Sequence, residues 1–129
     1  MNCYTDGSCI KNKYGGWAFY IQEEELLFCG NEIDTTNNRM ELIAVLELLE
    51  TLIENFDCEK CIIYTDSKLT LNCAKGIYKR NKNLDLWEKF NLLSSKIDIE
   101  WIWVKAHNGN EFNELVDKYA YNEAKKLIL

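Results

Sequence analysis

Two aspartates in this chain share nearly the same setting. Tyr4-Thr5-Asp6-Gly7-Ser8 and Tyr64-Thr65-Asp66-Ser67 each place an aspartate at the C-terminal end of an apolar, strand-like run. In an open α/β sheet, side chains at the carboxyl ends of neighbouring parallel strands project into one crevice, where ligands bind. If these strands are neighbours, Asp6 and Asp66 face each other; the alternative is a chance likeness of two strand ends. Glu41, in the first turn of a long helical run, and Asp117, in the closing helical run, could join them. Each also has a plainer reading. Asn38-Arg39-Met40-Glu41 fits a capping box, which would turn Glu41 back onto Asn38, and Asp117 could be an ordinary exposed helix residue. Glu114, three residues before Asp117, would share its helix face. Four clustered carboxylates repel one another unless a cation neutralises them. A hard ion such as Mg²⁺ is the natural partner, and two ions about 4 Å apart suit in-line phosphodiester chemistry.

The elements that must position these residues follow from periodicity. Met1–Asp6 reads as a strand, followed by the turn-forming stretch Gly7–Gly16; Gly16–Gln22 and Leu26–Ile33 read as a hairpin closed by Glu23–Glu25. From Asn38 to about Asn55, Met40, Ile43, Ala44, Leu48, Leu49, Leu52 and Ile53 recur at helical spacing. Lys60–Thr65 is a buried-strand run, and Ser67 can cap a short helix ending near Gly76. Asp85–Ser95 reads as a helix, Ile97–Val104 as an alternating strand, and Phe112–Leu129 as an amphipathic helix. Three strands first, then alternating helices and strands, predict an α/β fold with a mixed sheet and helices packed on its faces.

Composition bounds the function. The chain has 129 residues, 47% apolar and 28% charged, which suits one domain, residues 1–129, and excludes a disordered chain. No run approaches the ~18 apolar residues of a membrane helix. Met1 leads directly into Asn2 and Asp6 without a leader-like segment, and six cysteines then read as reduced thiols, so a cytoplasmic protein is expected. The net charge of −6 argues against a generic nucleic-acid binder, yet the charge is uneven. Between Ser67 and Leu84 no acidic residue occurs, and Lys68, Lys75, Lys79, Arg80 and Lys82 form an island of +5 in a remainder of −11. That island is either a solvated helix and loop or a substrate contact.

The motifs themselves carry a resemblance. Tyr4-Thr5-Asp6-Gly7-Ser8-Cys9, Thr35-Thr36-Asn37-Asn38-Arg39-Met40-Glu41-Leu42 and Tyr64-Thr65-Asp66-Ser67 resemble three successive motifs of type 1 ribonucleases H. Val104-Lys105-Ala106-His107 followed by Asn113-Glu114-Leu115-Val116-Asp117 resembles the fourth, in family order and spacing over nearly the whole chain. The resemblance implies a five-stranded mixed sheet flanked by helices on both faces, and endonucleolytic cleavage of the RNA strand of RNA–DNA hybrids. It implies that Asp6, Glu41, Asp66 and Asp117 meet and hold two Mg²⁺ or Mn²⁺ ions. One ion would activate water and the other would stabilise the leaving 3′-oxygen, giving 5′-phosphate and 3′-hydroxyl ends. His107, the only histidine, falls where the family aids proton transfer or product release, and Glu114 matches a glutamate that approaches the site transiently. Asn12, Asn37, Asn38 and Asn72 match residues contacting the hybrid near the 2′-hydroxyls, the groups that distinguish RNA from DNA. Thr36 matches part of a DNA-phosphate pocket.

The chain departs from that pattern in places. Many members insert a basic, Trp-rich handle where this chain has only Ile77–Leu84; Lys79, Arg80 and Lys82 fall in its place and become candidate hybrid contacts. Lys68 stands where several relatives carry a polar amide, the loop after Ser8 is short, and Trp87 is a candidate floor for the substrate groove. A monomer without membrane association is expected. Competing readings are a 3′–5′ exonuclease, which would want Asp-x-Glu where Asp6-Gly7-Ser8 stands, and a non-catalytic hybrid-binding module, which loss of a carboxylate would support. A zinc or redox module would rest on Cys58-Glu59-Lys60-Cys61 alone, without a second ligand pair.

Overall fold

The computed structural model describes residues 1–128. Nine elements run in the order β1 (Asn2–Ile10), β2 (Tyr14–Ile21), β3 (Leu26–Ile33), α1 (Asn37–Phe56), β4 (Lys60–Thr65), α2 (Lys68–Ala74), α3 (Leu84–Ser94), β5 (Asp98–Trp103) and α4 (Glu111–Lys125). The five strands form one mixed sheet in the order β3-β2-β1-β4-β5. The β1–β2 and β2–β3 pairs are antiparallel, whereas β1–β4 and β4–β5 are parallel.

Most expected elements occur with ends shifted by a residue or two. The main correction concerns β1. It does not stop at Asp6 but continues to Ile10, where Lys11 and Asn12 (φ 58° and 49°) turn the chain directly into β2. Asp6 therefore lies mid-strand, paired with Ala18 of β2. What ends near Asp6 is the other side of the strand. The parallel β1–β4 pairing runs from Asn2↔Ile62 to Tyr4↔Tyr64, and β4 ends at Thr65. Beyond that level β1 is open on one side, and a crevice begins. Helix α4 ends at Lys125, short of the expected Leu129, which lies outside the described residues.

Pleat alternation assigns the sheet's two faces. Cys3 of β1 joins Phe19, Ile21, Ile63 and the α1 leucines Leu42, Leu46, Leu49 and Leu52 in the larger core, roofed by Trp87 and Phe90 of α3. Tyr4 instead joins Ala18 with Val116 and Ala120 of α4 on the opposite face. A side chain at Gly16 would run into the Ala120 carbonyl at 2.0 Å, so β2 is bare where α4 lies on it.

Helix α1 begins differently from the capping-box reading. Thr36 is the N-cap, its hydroxyl accepting from the Arg39 amide at 3.2 Å. Glu41 is then too far along the helix to reach back to the cap. Arg39 ties this end of α1 to α3 through a two-pronged bond to Asp85 at 3.1 and 2.8 Å.

Candidate active site

Gly7 brings the first two carboxylates together. A Cβ there would sit 2.2 Å from the Glu41 backbone nitrogen, so only glycine lets the first turns of α1 lie directly on β1. The Gly7 amide then donates to Asp6 Oδ1 and to Glu41 Oε1, both at 2.9 Å. Asp66 follows β4 at the same level. Ligand oxygens of Asp6, Glu41 and Asp66 all lie within 4.8 Å of one another. The expected facing of Asp6 and Asp66 occurs because β1 and β4 are adjacent and parallel.

Asp117 stands outside this trio, half-exposed on α4 but close enough to Asp6 to press its proton affinity upward. Burial, followed by repulsion from Glu41, drives the Asp6 carboxyl far above the usual carboxylate range. Burial also raises Glu41, to about 7. Asp66 is raised by burial, while the Asn113 side chain and the His107 charge pull the other way. Such a trio holds protons when alone.

The residues fit a hard divalent cation. Glu41 is 4% exposed, and among the described residues its buried Oε2 has no hydrogen-bond partner. A buried carboxylate oxygen left unpaired is costly, and a cation ligated by oxygens would satisfy it.

The other expected residues fall into three groups. His107 lies in the loop before α4 with φ 53°, its side chain 77% exposed and its Nδ1 3.8 Å from Asp117 Oδ2. Glu114 does not join the trio; its Oε1 accepts from the Gly109 amide at 3.3 Å and so ties down the His107 loop. A groove of about 400 Å³ lies between the start of α1, α2 and the loop before α3, and Thr36, Asn38, Lys79, Arg80 and Lys82 all line it together with Trp87 and Leu42; none of the carboxylates lines it. Asn37 is exposed on the first turn of α1, and Asn12 sits at the β1–β2 turn. Asn72 holds the end of α2, its carbonyl accepting from the Ile77 and Tyr78 amides. Lys68 does not line the groove; its Nζ lies 4.3 Å from the centre of the Trp103 ring.

Arg80 differs from its neighbours. Its Nε donates to the Cys73 carbonyl at 2.9 Å, its two terminal nitrogens reach Ala74 and Asn91, and its guanidinium lies 4.4 Å over Trp87. It closes the C-terminus of α2 onto α3. Lys79 and Lys82 are the exposed charges of the groove.

Sequence reasoning missed Asn113, which is 2% exposed beside Asp66 with its Oδ1 unpartnered. The signal was present: Asn113 shares the buried stripe of Val116, Ala120 and Ala124, where a polar residue needs a reason. Trp103, whose Nε1 donates to the Asp66 carbonyl at 3.1 Å, had no such signal. All six cysteines are free thiols, and burial pushes Cys61 of the CxxC to about 12.

This is an α/β domain with a buried polycarboxylate centre, the class of site that takes hard cations and acts on phosphate esters. Residues 1–125 match the sequence profile of RNase H, and the chain belongs to that family, whose members are hydrolytic ribonucleases. It is 41% identical to Ribonuclease HI of Xylella fastidiosa (strain Temecula1) over 142 aligned positions, covering 96% of this chain and 91% of the relative. It is 40% identical to Ribonuclease H of Campylobacter jejuni (strain 81-176), covering 98% and 92%. The N-terminal RNase H domain of a Mycobacterium tuberculosis protein, solved fused to maltose-binding protein, shares the fold at a TM-score of 0.83. That match has 18% identity and covers 98% of this chain and 95% of the other. The five-stranded mixed α/β fold expected from the motifs is the fold observed. No described helix is long and apolar enough to cross a membrane.

Proposed function

We propose that this chain, as a single catalytic domain, cuts the RNA strand of RNA–DNA hybrids endonucleolytically, leaving 5′-phosphate and 3′-hydroxyl ends. One observation carries the reading: three carboxylates packed within 4.8 Å, with a buried Glu41 oxygen that finds no hydrogen-bond partner among the described residues. Asp6, Glu41 and Asp66, with Asp117 at the rim, would hold Mg²⁺ or Mn²⁺, two ions when substrate is bound. The metal supplies an activated water and charge stabilisation at the leaving oxygen. Asn113 steadies the Asp66 carboxylate in its ionised form, and Gly7 orients Asp6 and Glu41 through one amide. His107, on its exposed loop beside Asp117, moves a proton or assists departure of the product. Glu114 holds that loop.

The groove gives the substrate a seat. Lys79 and Lys82 carry charge to the phosphates of one strand, and Thr36 and Asn38 add polar contacts at its edge. Asn37, Asn38, Asn12 and Asn72 are assigned to the hybrid's backbone and 2′-hydroxyls, the feature that selects RNA for cutting. The test is incubation with an end-labelled hybrid, duplex DNA and duplex RNA, with Mg²⁺ and with chelator. Cutting of the hybrid's RNA strand alone, in Mg²⁺ alone, is expected. Hybrid binding without cutting under any divalent metal would favour a non-catalytic binding module.

A further inference from the structure

Lys68 follows Asp66 by two residues, on the first turn of α2. An ammonium on so short a tether is drawn to the acidic trio. Among the described residues, however, Lys68 makes no ion pair. Its Nζ lies instead over the face of Trp103, 4.3 Å from the ring centre. Trp103 ends β5 opposite Thr65 and is 42% exposed. Trp101, two residues earlier on the same face, packs against the core, whereas Trp103 belongs to neither apolar cluster. An exposed tryptophan needs no core role, and this one spends both its ring and its N–H on the segment that carries Asp66. The indole Nε1 donates to the Asp66 carbonyl at 3.1 Å, which fixes the ring where it can receive Lys68.

We propose that Trp103 is a positioning residue that parks the Lys68 ammonium clear of the carboxylates, leaving them open to the metal and the ammonium open to a phosphate of the hybrid. A cation on a ring face keeps most of its hydration and its donors, so it remains available to a phosphate oxygen. The same cation released among the carboxylates would occupy the charge that the metal needs. The proposal rests on the metal-dependent reading above and adds to it a reason for lysine at position 68.

The test is calorimetric Mg²⁺ titration of the substrate-free protein, with Mn²⁺ as a second probe. Parent, Trp103→Leu, Lys68→Met, the double variant and Trp103→Phe are compared, each checked for folding by its melting curve. Trp103→Leu should weaken Mg²⁺ binding roughly fivefold, the scale of one added charge contact. Lys68→Met should not weaken it, and the double variant should match Lys68→Met rather than Trp103→Leu. Trp103→Phe, which keeps a ring face, should retain most of the parent affinity. In steady-state cleavage, Lys68→Met should raise KM severalfold with kcat nearly unchanged.

A double variant as weak as Trp103→Leu would overturn the proposal, because the indole would then act only through the backbone of Asp66. A Trp103→Leu protein with parental Mg²⁺ affinity, or a Lys68→Met protein with parental KM, would overturn it as well. A parent that binds neither metal would bring down the metal-dependent reading itself, a different failure read in the first titration.

Discussion

Glu41 is where the energetics of the site are sharpest. One oxygen is held by Gly7 and the other has no partner, inside a protein that gives the charge almost no water. Asp6 beside it is pushed further up than Glu41: burial and repulsion from Glu41 both raise Asp6, whereas the Asp6 side chain and the Gly7 amide hold the rise at Glu41 back. Folding therefore raises both values, and the folded chain holds protons that the unfolded chain releases. The stability linked to those protons is present below the ordinary values of 3.8 and 4.5 and is lost as pH rises through the folded values, about 7 for Glu41. In chelator, the melting temperature of Asp6→Asn relative to the parent should rise as the pH goes from about 4.5 to about 7. Mg²⁺ should stabilise the parent more than the variant. A difference independent of pH would show that Asp6 ionises freely. Asp66→Asn keeps the shape and removes a ligand charge, so single-turnover cleavage should fall by orders of magnitude while hybrid binding in Ca²⁺ persists. Near-parental turnover would remove Asp66 from the metal site. His107→Ala should lower kcat severalfold with less change in KM, since the residue is assigned to steps after binding.

At the scale of elements, the site is a contact between the start of α1 and the middle of β1. Gly7→Ala drives a methyl into the α1 backbone, which cannot move aside as a flexible side chain would. It should cost about 2–4 kcal/mol of stability, at or beyond the usual range for overpacking, and weaken Mg²⁺ binding by parting Asp6 from Glu41. Denaturant titration and calorimetry read the two effects, and a loss of stability with unchanged metal affinity would separate the packing from the site. Helix α2 is also held by a contact that composition alone would not suggest. Arg80 looks like one more charge in a basic loop, yet its donors close the carbonyl end of α2 and its plane stacks on Trp87. Fixed in this way, it shapes the groove wall that Lys79 and Lys82 extend.

For the whole molecule, the question is how a chain of net charge −6 holds a polyanion. Affinity follows the phosphates neutralised locally, and each contact contributes about 0.7–0.9 to the salt slope. Lys79 and Lys82 line the groove. Changing both to Gln should flatten the salt dependence of hybrid binding by about 1.5 units and act mainly on KM. Arg80→Gln should instead lower the melting temperature, with a smaller change in slope. Equal slopes for the parent and the Lys79/Lys82 variant would reduce the island to a solvated turn. The remaining −11 should keep binding to unrelated duplex DNA weak.

Much of this was legible in one dimension. Helix α1 and strands β3 and β4 follow from hydrophobic period, and the motif residues Asp6, Glu41 and Asp66 stand out by type and spacing, because local periodicity reports which face of an element is buried. The end of β1 was not legible, because Gly7, Ser8 and Cys9 read as a turn until β2 pairs with them across the sheet. The role of Glu41 was equally undecided: a capping box and a carboxylate centre have the same letters, and only the seating of α1 on Gly7 separates them. Arg80 and Trp103 carry no local signal at all. Their roles depend on which carbonyl, ring or ammonium arrives from another element. The chain by itself determined the elements and the residue types available for chemistry; tertiary packing decided which oxygens are buried without a partner, and therefore where a cation is wanted.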